Sequence, residues 1–176
     1  MEIQIRKGTS HDIDDLEELY NVLNDALEKG VNYPGWKKGV YPIRDDAEQG
    51  IENGTLFVAV LKDNIVGTII LNHEPEEAYK EIKWGFEFDY SDVFVVHTFL
   101  VHPEYKQRGV GKQLMDFAEQ YAKDTNIKSI RLDVYEGNLP AIQLYKKCGF
   151  QYKGNVDLGL EAIGLKWFQI YEKMID

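Results

Sequence analysis

The stretch Lys106-Gln107-Arg108-Gly109-Val110-Gly111-Lys112 combines two glycines with three cations, just before an apolar periodicity of helical type. Glycines let a backbone approach a ligand closely. A helix N-terminus adds N–H groups without intrahelical partners and a partial positive charge. Lys106, Arg108 and Lys112 add formal charge. The sum suits a pyrophosphate, although a helix start that holds no ligand has the same signature. Two other phosphate motifs fail here. The dinucleotide fingerprint needs a third glycine where Leu114 stands. The P-loop needs four residues between its glycines and a Ser or Thr where Gln113 stands.

Other side chains near this loop could move protons. His97 lies nine residues before Lys106 in an apolar run, and histidine is the side chain that ordinarily titrates nearest neutrality. His102 falls beside Pro103 and reads as part of a turn. Glu136 stands at a strand end as a weaker alternative base. Tyr145 carries a phenol, ordinarily of pKa about 10. The single cysteine, Cys148, reads as a small buried filler, and it cannot pair within the chain.

The elements that would position these groups follow from periodicity and punctuation. Ile3–Lys7 alternates as a strand. Thr9 and Ser10 precede a run of acids, as at a helix start. Ile13, Leu16, Leu19, Tyr20, Leu23 and Leu27 then recur at helical spacing as far as Gly30. Residues 31–43 form an aromatic loop, and Arg44–Glu52 a short helix. Thr55–Leu61 and Ile65–Leu71 flank a turn as a hairpin. Residues 72–92 are polar, then aromatic at alternate positions: Trp84, Phe86, Phe88 and Tyr90. Val93–Val101 is a buried strand, and a helix runs from about Gly109 to Asp124. Ser129–Val134 is a strand, Asn138–Cys148 a helix with Asn138 as N-cap and Gly149 past its end. Residues 150–158 and 164–174 are the last two strands. The order β α α β β β α β α β β is an α+β domain around one mixed sheet, a single domain over 1–176.

The stretch Asn138-Leu139-Pro140-Ala141-Ile142-Gln143-Leu144-Tyr145-Lys146-Lys147-Cys148-Gly149-Phe150, with the strand and loop before it, resembles the GCN5-related N-acetyltransferase (GNAT) superfamily. The family's first motif is Gln/Arg-x-x-Gly-x-Gly/Ala. Positions 106–111 match it apart from Lys106. The second, Asn…Ala-x-x-Leu-Tyr-x-x-x-Gly-Phe, is present throughout.

The resemblance implies a mixed, mostly antiparallel sheet with splayed central strands and flanking helices. It implies acetyl-CoA as cosubstrate, no metal, and direct acetyl transfer to a primary amine. Phe99, Leu100 and Val101 would pair with the pantetheine arm. Lys106, Gln107, Arg108, Gly109, Val110, Gly111 and Lys112 would hold the pyrophosphate. Asn138, Ala141 and Tyr145 would lie along the pantetheine, with Tyr145 as the acid. His97 would be the base, or an ordered water would replace it. Histone-acetylating members carry a glutamate where this chain has Val95, which counts against that mechanism.

Charge bears on the acceptor. The chain of 176 residues carries a net charge of −10, against a nucleic-acid or anionic-membrane binder. Residues 1–92 hold 20 acids and 9 bases, whereas residues 93–176 hold 10 acids and 11 bases. The resemblance puts the acceptor on the side of the acidic half, where Tyr33, Trp36, Tyr41 and Trp84 also lie. Carboxylates and aromatic faces suit a cationic amine. A small-molecule amine is therefore expected. The alternatives are a peptide or protein N-terminus, or an acyl-CoA-binding module without catalysis. The N-terminal stretch has no apolar segment of signal type, and the lone cysteine fits a reducing compartment, so a cytoplasmic location is expected. A homodimer is open on the sequence.

Overall fold

Eleven regular elements match the expected order in the computed structural model, which describes residues 2–176. They are β1 (Gln4–Lys7), α1 (Ile13–Lys29), α2 (Arg44–Glu52), β2 (Leu56–Leu61), β3 (Asn64–Asn72), β4 (Val93–Val101), α3 (Val110–Asp124), β5 (Ser129–Tyr135), α4 (Leu139–Lys147), β6 (Gln151–Val156) and β7 (Phe168–Met174). The strands hydrogen-bond in the order β1-β2-β3-β4-β5-β7-β6. β1 with β2, β2 with β3, β5 with β7 and β6 with β7 are antiparallel, and β4 with β5 is parallel. The fold is thus α+β with a mixed, mostly antiparallel seven-stranded sheet. No helix among the described residues is long and apolar enough to cross a membrane.

Contacts divide the chain into two compact units, and each is discontinuous in sequence. The first takes the chain to Asn32, then Trp36–Leu71 and His97–Phe117. Its core forms where the apolar stripe of α1, with Leu16, Leu19, Tyr20 and Leu23, meets Leu56, Val58, Ile70 and Leu100. One turn of tighter helix, Ser10–Asp12, precedes α1. Asp12 closes that turn by accepting from the Thr9 amide at 2.7 Å, and takes Arg6 in a two-pronged ion pair at 2.8 and 3.0 Å. Arg44, at the start of α2, pairs with Asp14 and Glu17 of α1 and with Glu48 one turn on. The β2–β3 hairpin turns through Lys62 and Asp63, both at positive φ, although neither is the glycine such turns favour.

The second unit comprises Tyr33–Gly35, Asn72–Val96 and Ala118–Asp176. Tyr79, Val93, Val95, Val156, Phe168 and Ile170 form its core. Here one boundary differs from the sequence expectation. β7 begins at Phe168, not near 164, because Glu161–Ile163 makes a helical turn closed by Gly164 at φ +87°. The alternating aromatics at 84–90 form no strand. They wrap the buried guanidinium of Arg131, which lies 3.7 Å from the Trp84 ring centre and 5.3 Å from that of Tyr90. Arg131 also donates to the Tyr90 hydroxyl and the Phe86 carbonyl. A cation buried in β5 overrides the two-residue period by drawing the segment's aromatic faces and a carbonyl to itself.

Candidate active site

β4 carries the residues expected to meet both substrates. Its parallel ladder with β5 covers Val93–Val95 against Ser129–Arg131, although β4 runs on to Val101 and β5 to Tyr135. Beyond the ladder Thr98 adopts φ +46°, rare for a β-branched residue. Its hydroxyl lies 2.7 Å from that of Tyr41. His97 is half-buried directly before Thr98, Phe99 and Val101 are half-buried, and Leu100 is buried.

After β4 the His102 amide bonds to the Val66 carbonyl, and the His102 ring accepts from the Glu104 amide. His102 is therefore a turn residue, as expected. Lys106, Gln107, Arg108 and Gly109 are all exposed. Gln107 and Gly109 take positive φ, of 59° and 83°. At Gly109 this conformation is free of the strain a side chain would add. The Gly109 carbonyl accepts from Gln113, so the amides of Val110, Gly111 and Lys112 fall in the first turn, where helical geometry leaves N–H groups without intrahelical partners. Val110 anchors that turn against Gly67, where an added Cβ would lie 3.1 Å from both Val110 Cγ1 and the Leu100 carbonyl. Lys112 pairs with Asp116, and Arg108 lies over the Tyr105 ring. An exposed loop thus runs directly into the first turn of α3.

α4 belongs to the second unit. The Asn138 carbonyl accepts from Ile142, but its side chain does not cap the helix. At the other end the Phe150 amide bonds to the Tyr145 carbonyl and the Gly149 amide to that of Lys146, with Gly149 at φ +89°. This closure needs the left-handed residue that glycine supplies. The accompanying apolar contact is between the Tyr145 and Phe150 rings, 5.9 Å apart. Tyr145 also packs against Tyr171 and is buried. Lys173 fixes the helix end by donating to the Cys148 carbonyl and pairing with Glu119. The Asn…Tyr and Gly-Phe parts of the motif are therefore one helix and its stop. Ala141 is half-buried on that helix, Glu136 is exposed, and Cys148 is half-buried.

The expected acceptor residues fall in both units. Trp36 meets Tyr41 edge-on at 5.3 Å in the first unit. Tyr33 belongs to the second unit and is exposed. Trp84, also in the second, donates its indole N–H to the Tyr79 carbonyl and stacks on Arg131. A groove of about 310 Å³ in the first unit is lined by Asp15, Glu18, Ile65, His102 and Tyr105, among others, and by none of the expected acceptor residues. Among the described residues no group of three or more His, Cys, Asp or Glu side chains is placed to hold a metal ion.

Sequence reasoning missed Thr98, Asn24 and the Arg131–Glu172 pair. Each had a faint signal: a polar or charged residue at a position that the local period assigns to the interior.

The acetyltransferase (GNAT) family profile matches residues 16–150. Streptothricin acetyltransferase of Escherichia coli is 29% identical over 124 residues, covering 69% of this chain and 62% of that protein. Spermine/spermidine N(1)-acetyltransferase of Bacillus subtilis is 32% identical over 69 residues, covering 39% of this chain and 45% of the relative. This chain thus spans less than two thirds of the length of these relatives. A GNAT-family acetyltransferase structure from Streptococcus agalactiae superposes with a TM-score of 0.78 at 23% identity, covering 99% of this chain and 96% of that one. With the sheet order, the glycine loop opening α3 and the Asn…Tyr helix already in place, the chain belongs to the GNAT acetyltransferase family.

Proposed function

We propose that residues 1–176 act as one acetyl-CoA-dependent N-acetyltransferase domain that acetylates a small cationic primary amine. The observation that carries the reading is the exposed start of α3. Gly109 at φ +83° precedes the first-turn amides of Val110, Gly111 and Lys112, and Lys106 and Arg108 stand beside them. Such a helix start suits a pyrophosphate, which gains from both the amides and the dipole.

The roles follow from the chemistry of acyl transfer. Backbone groups of Phe99, Leu100 and Val101 take the pantetheine arm, with Asn138 and Ala141 along it. An amide of β4 near Leu100 stabilises the oxyanion of the tetrahedral intermediate. An ammonium is not a nucleophile, so His97 takes its proton, directly or through water. Tyr145 returns a proton to the departing thiolate. Tyr33, Trp36, Tyr41 and Trp84 are the acceptor-side aromatics. The amine class is supported by the acidic N-terminal half and by relatives named for streptothricin and for spermine and spermidine.

The test is thiol release from acetyl-CoA across a panel of polyamines, aminoglycosides, amino acids and peptide N-termini. Turnover on a small cationic amine is expected. Turnover on peptide N-termini alone would overturn the amine class. Acetyl-CoA binding without turnover on any amine would overturn the enzymatic reading.

A further inference from the structure

Three residues from three parts of the first unit are linked in series. On α1, Asn24 is 2% exposed and donates through Nδ2 to the Tyr41 carbonyl at 3.1 Å. Tyr41 then meets Thr98 hydroxyl to hydroxyl at 2.7 Å. Thr98, 6% exposed, is the β4 residue held at φ +46°, directly after His97. The Trp36 ring packs edge-on against Tyr41 at 5.3 Å and rests on the core built around α1.

A β-branched residue in the left-handed region costs on the order of 1–3 kcal/mol, and persists only where its surroundings over-determine it. Thr98 lies beyond the part of β4 that pairs with β5, so the β5 ladder does not hold it, and β3 is its other neighbour in the sheet. The short contact to Tyr41 is a specific one that engages its side chain. Tyr41 can act as a strut because its own backbone is tied to a buried asparagine of a well-packed helix.

We infer that the series Asn24–Tyr41–Thr98 holds the left-handed backbone of β4 at Thr98 and so sets the orientation of His97 and of the Phe99 and Leu100 backbone. Tyr41 is thus a positioning residue that works through its hydroxyl and carbonyl, beside the acceptor-side place proposed for its ring. The inference rests on the proposed acetyl transfer for its catalytic consequence, but the strut itself has a readout independent of activity.

The experiment compares Tyr41→Phe, Thr98→Val and Thr98→Ser with the unmodified chain. Four quantities are measured: kcat, acetyl-CoA affinity by calorimetry, Tm, and amide hydrogen exchange of residues 97–99. Tyr41→Phe and Thr98→Val should each lower kcat about five- to tenfold, as loss of one net hydrogen bond allows. They should speed exchange at residues 97–99 by a similar factor, with acetyl-CoA affinity changed less than twofold. Thr98→Ser keeps the hydroxyl and should retain both properties. Tyr41→Phe combined with Thr98→Val should be no worse than either alone. Unchanged exchange in Tyr41→Phe would overturn the strut, whatever the activity. Faster exchange with unchanged kcat would overturn its link to catalysis. If no amine is turned over by the unmodified chain, the functional proposal fails while the exchange result still decides the strut. Should Thr98→Val not fold, Tyr41→Phe and Thr98→Ser decide the matter without it.

Discussion

Arg131 and Glu172 face each other directly across the β5–β7 ladder, and their side chains join at 2.7 Å with both 2% exposed. Ser129 donates to the same carboxylate oxygen at 2.9 Å. The guanidinium also holds the Trp84 ring, the Tyr90 hydroxyl and the Phe86 carbonyl. One buried cation therefore anchors an entire irregular segment to the sheet.

Removing one partner of such a pair leaves a buried charge uncompensated. Glu172→Leu should cost about 3–5 kcal/mol in urea denaturation, and Glu172→Leu with Arg131→Met measurably less. The near-UV circular dichroism of Trp84 should weaken in the Arg131→Met variants, because its ring loses the guanidinium it lies on. A double variant as costly as the sum of the two single ones would show that the pair is not coupled.

Tyr145→Phe keeps the packing against Phe150 and Tyr171 and removes only the hydroxyl. On the proposed mechanism kcat should fall by about 10²–10⁴-fold, the usual worth of a positioned acid. Acetyl-CoA affinity, measured by calorimetry, should stay within about twofold. Equal kcat would remove Tyr145 as the acid.

The sequence carried the element order and both motifs because these depend on local rules: apolar period, glycine punctuation and the spacing within single elements. The stop of α4 at Gly149 is a case in which three residues determine the geometry. The left-handed backbone at Thr98 and the cage around Arg131 were not legible. Thr98 meets the hydroxyl of Tyr41, 57 positions away. The alternation at residues 84–90 mimics a strand, and only a charge in β5, far along the chain, makes it a wrap. Long-range partners of this kind leave no periodic trace.

His97 is proposed as the base, so the loss of kcat/KM at low pH should follow its protonation. In His97→Ala the acid limb of the kcat/KM profile should flatten, with kcat/KM lower at every pH above it. A limb that survives unchanged would assign the titration to another group or to the amine itself.

Tyr20 is fully buried on α1, and its hydroxyl has no hydrogen-bond partner among the described residues. Burial, then Asp46, then Tyr41 push the phenol well above its ordinary range, so it stays neutral. A buried donor left unpaired carries its full desolvation cost. Tyr20→Phe should therefore stabilise the fold by about 1 kcal/mol in thermal or urea unfolding. A loss of stability would mean that the hydroxyl is satisfied in solution.

Asp12 links β1 to the start of α1 through Arg6 and the Thr9 amide. The Arg6 guanidinium holds its carboxyl below the usual range against the opposing effect of burial, and the Thr9 amide adds to this. An acid whose pKa is depressed in the folded state contributes stability that is fully present above its unfolded value, about 3.9, and lost as pH falls through the folded one. Asp12→Asn should therefore cost about 1–2 kcal/mol near neutrality, an amount discounted because Arg6 is partly exposed. The gap in Tm between the two proteins should stay constant from pH 8 to about pH 5 and close below about pH 4. A gap that persists at pH 2 would mean that Asp12 acts through packing or geometry and not through its charge.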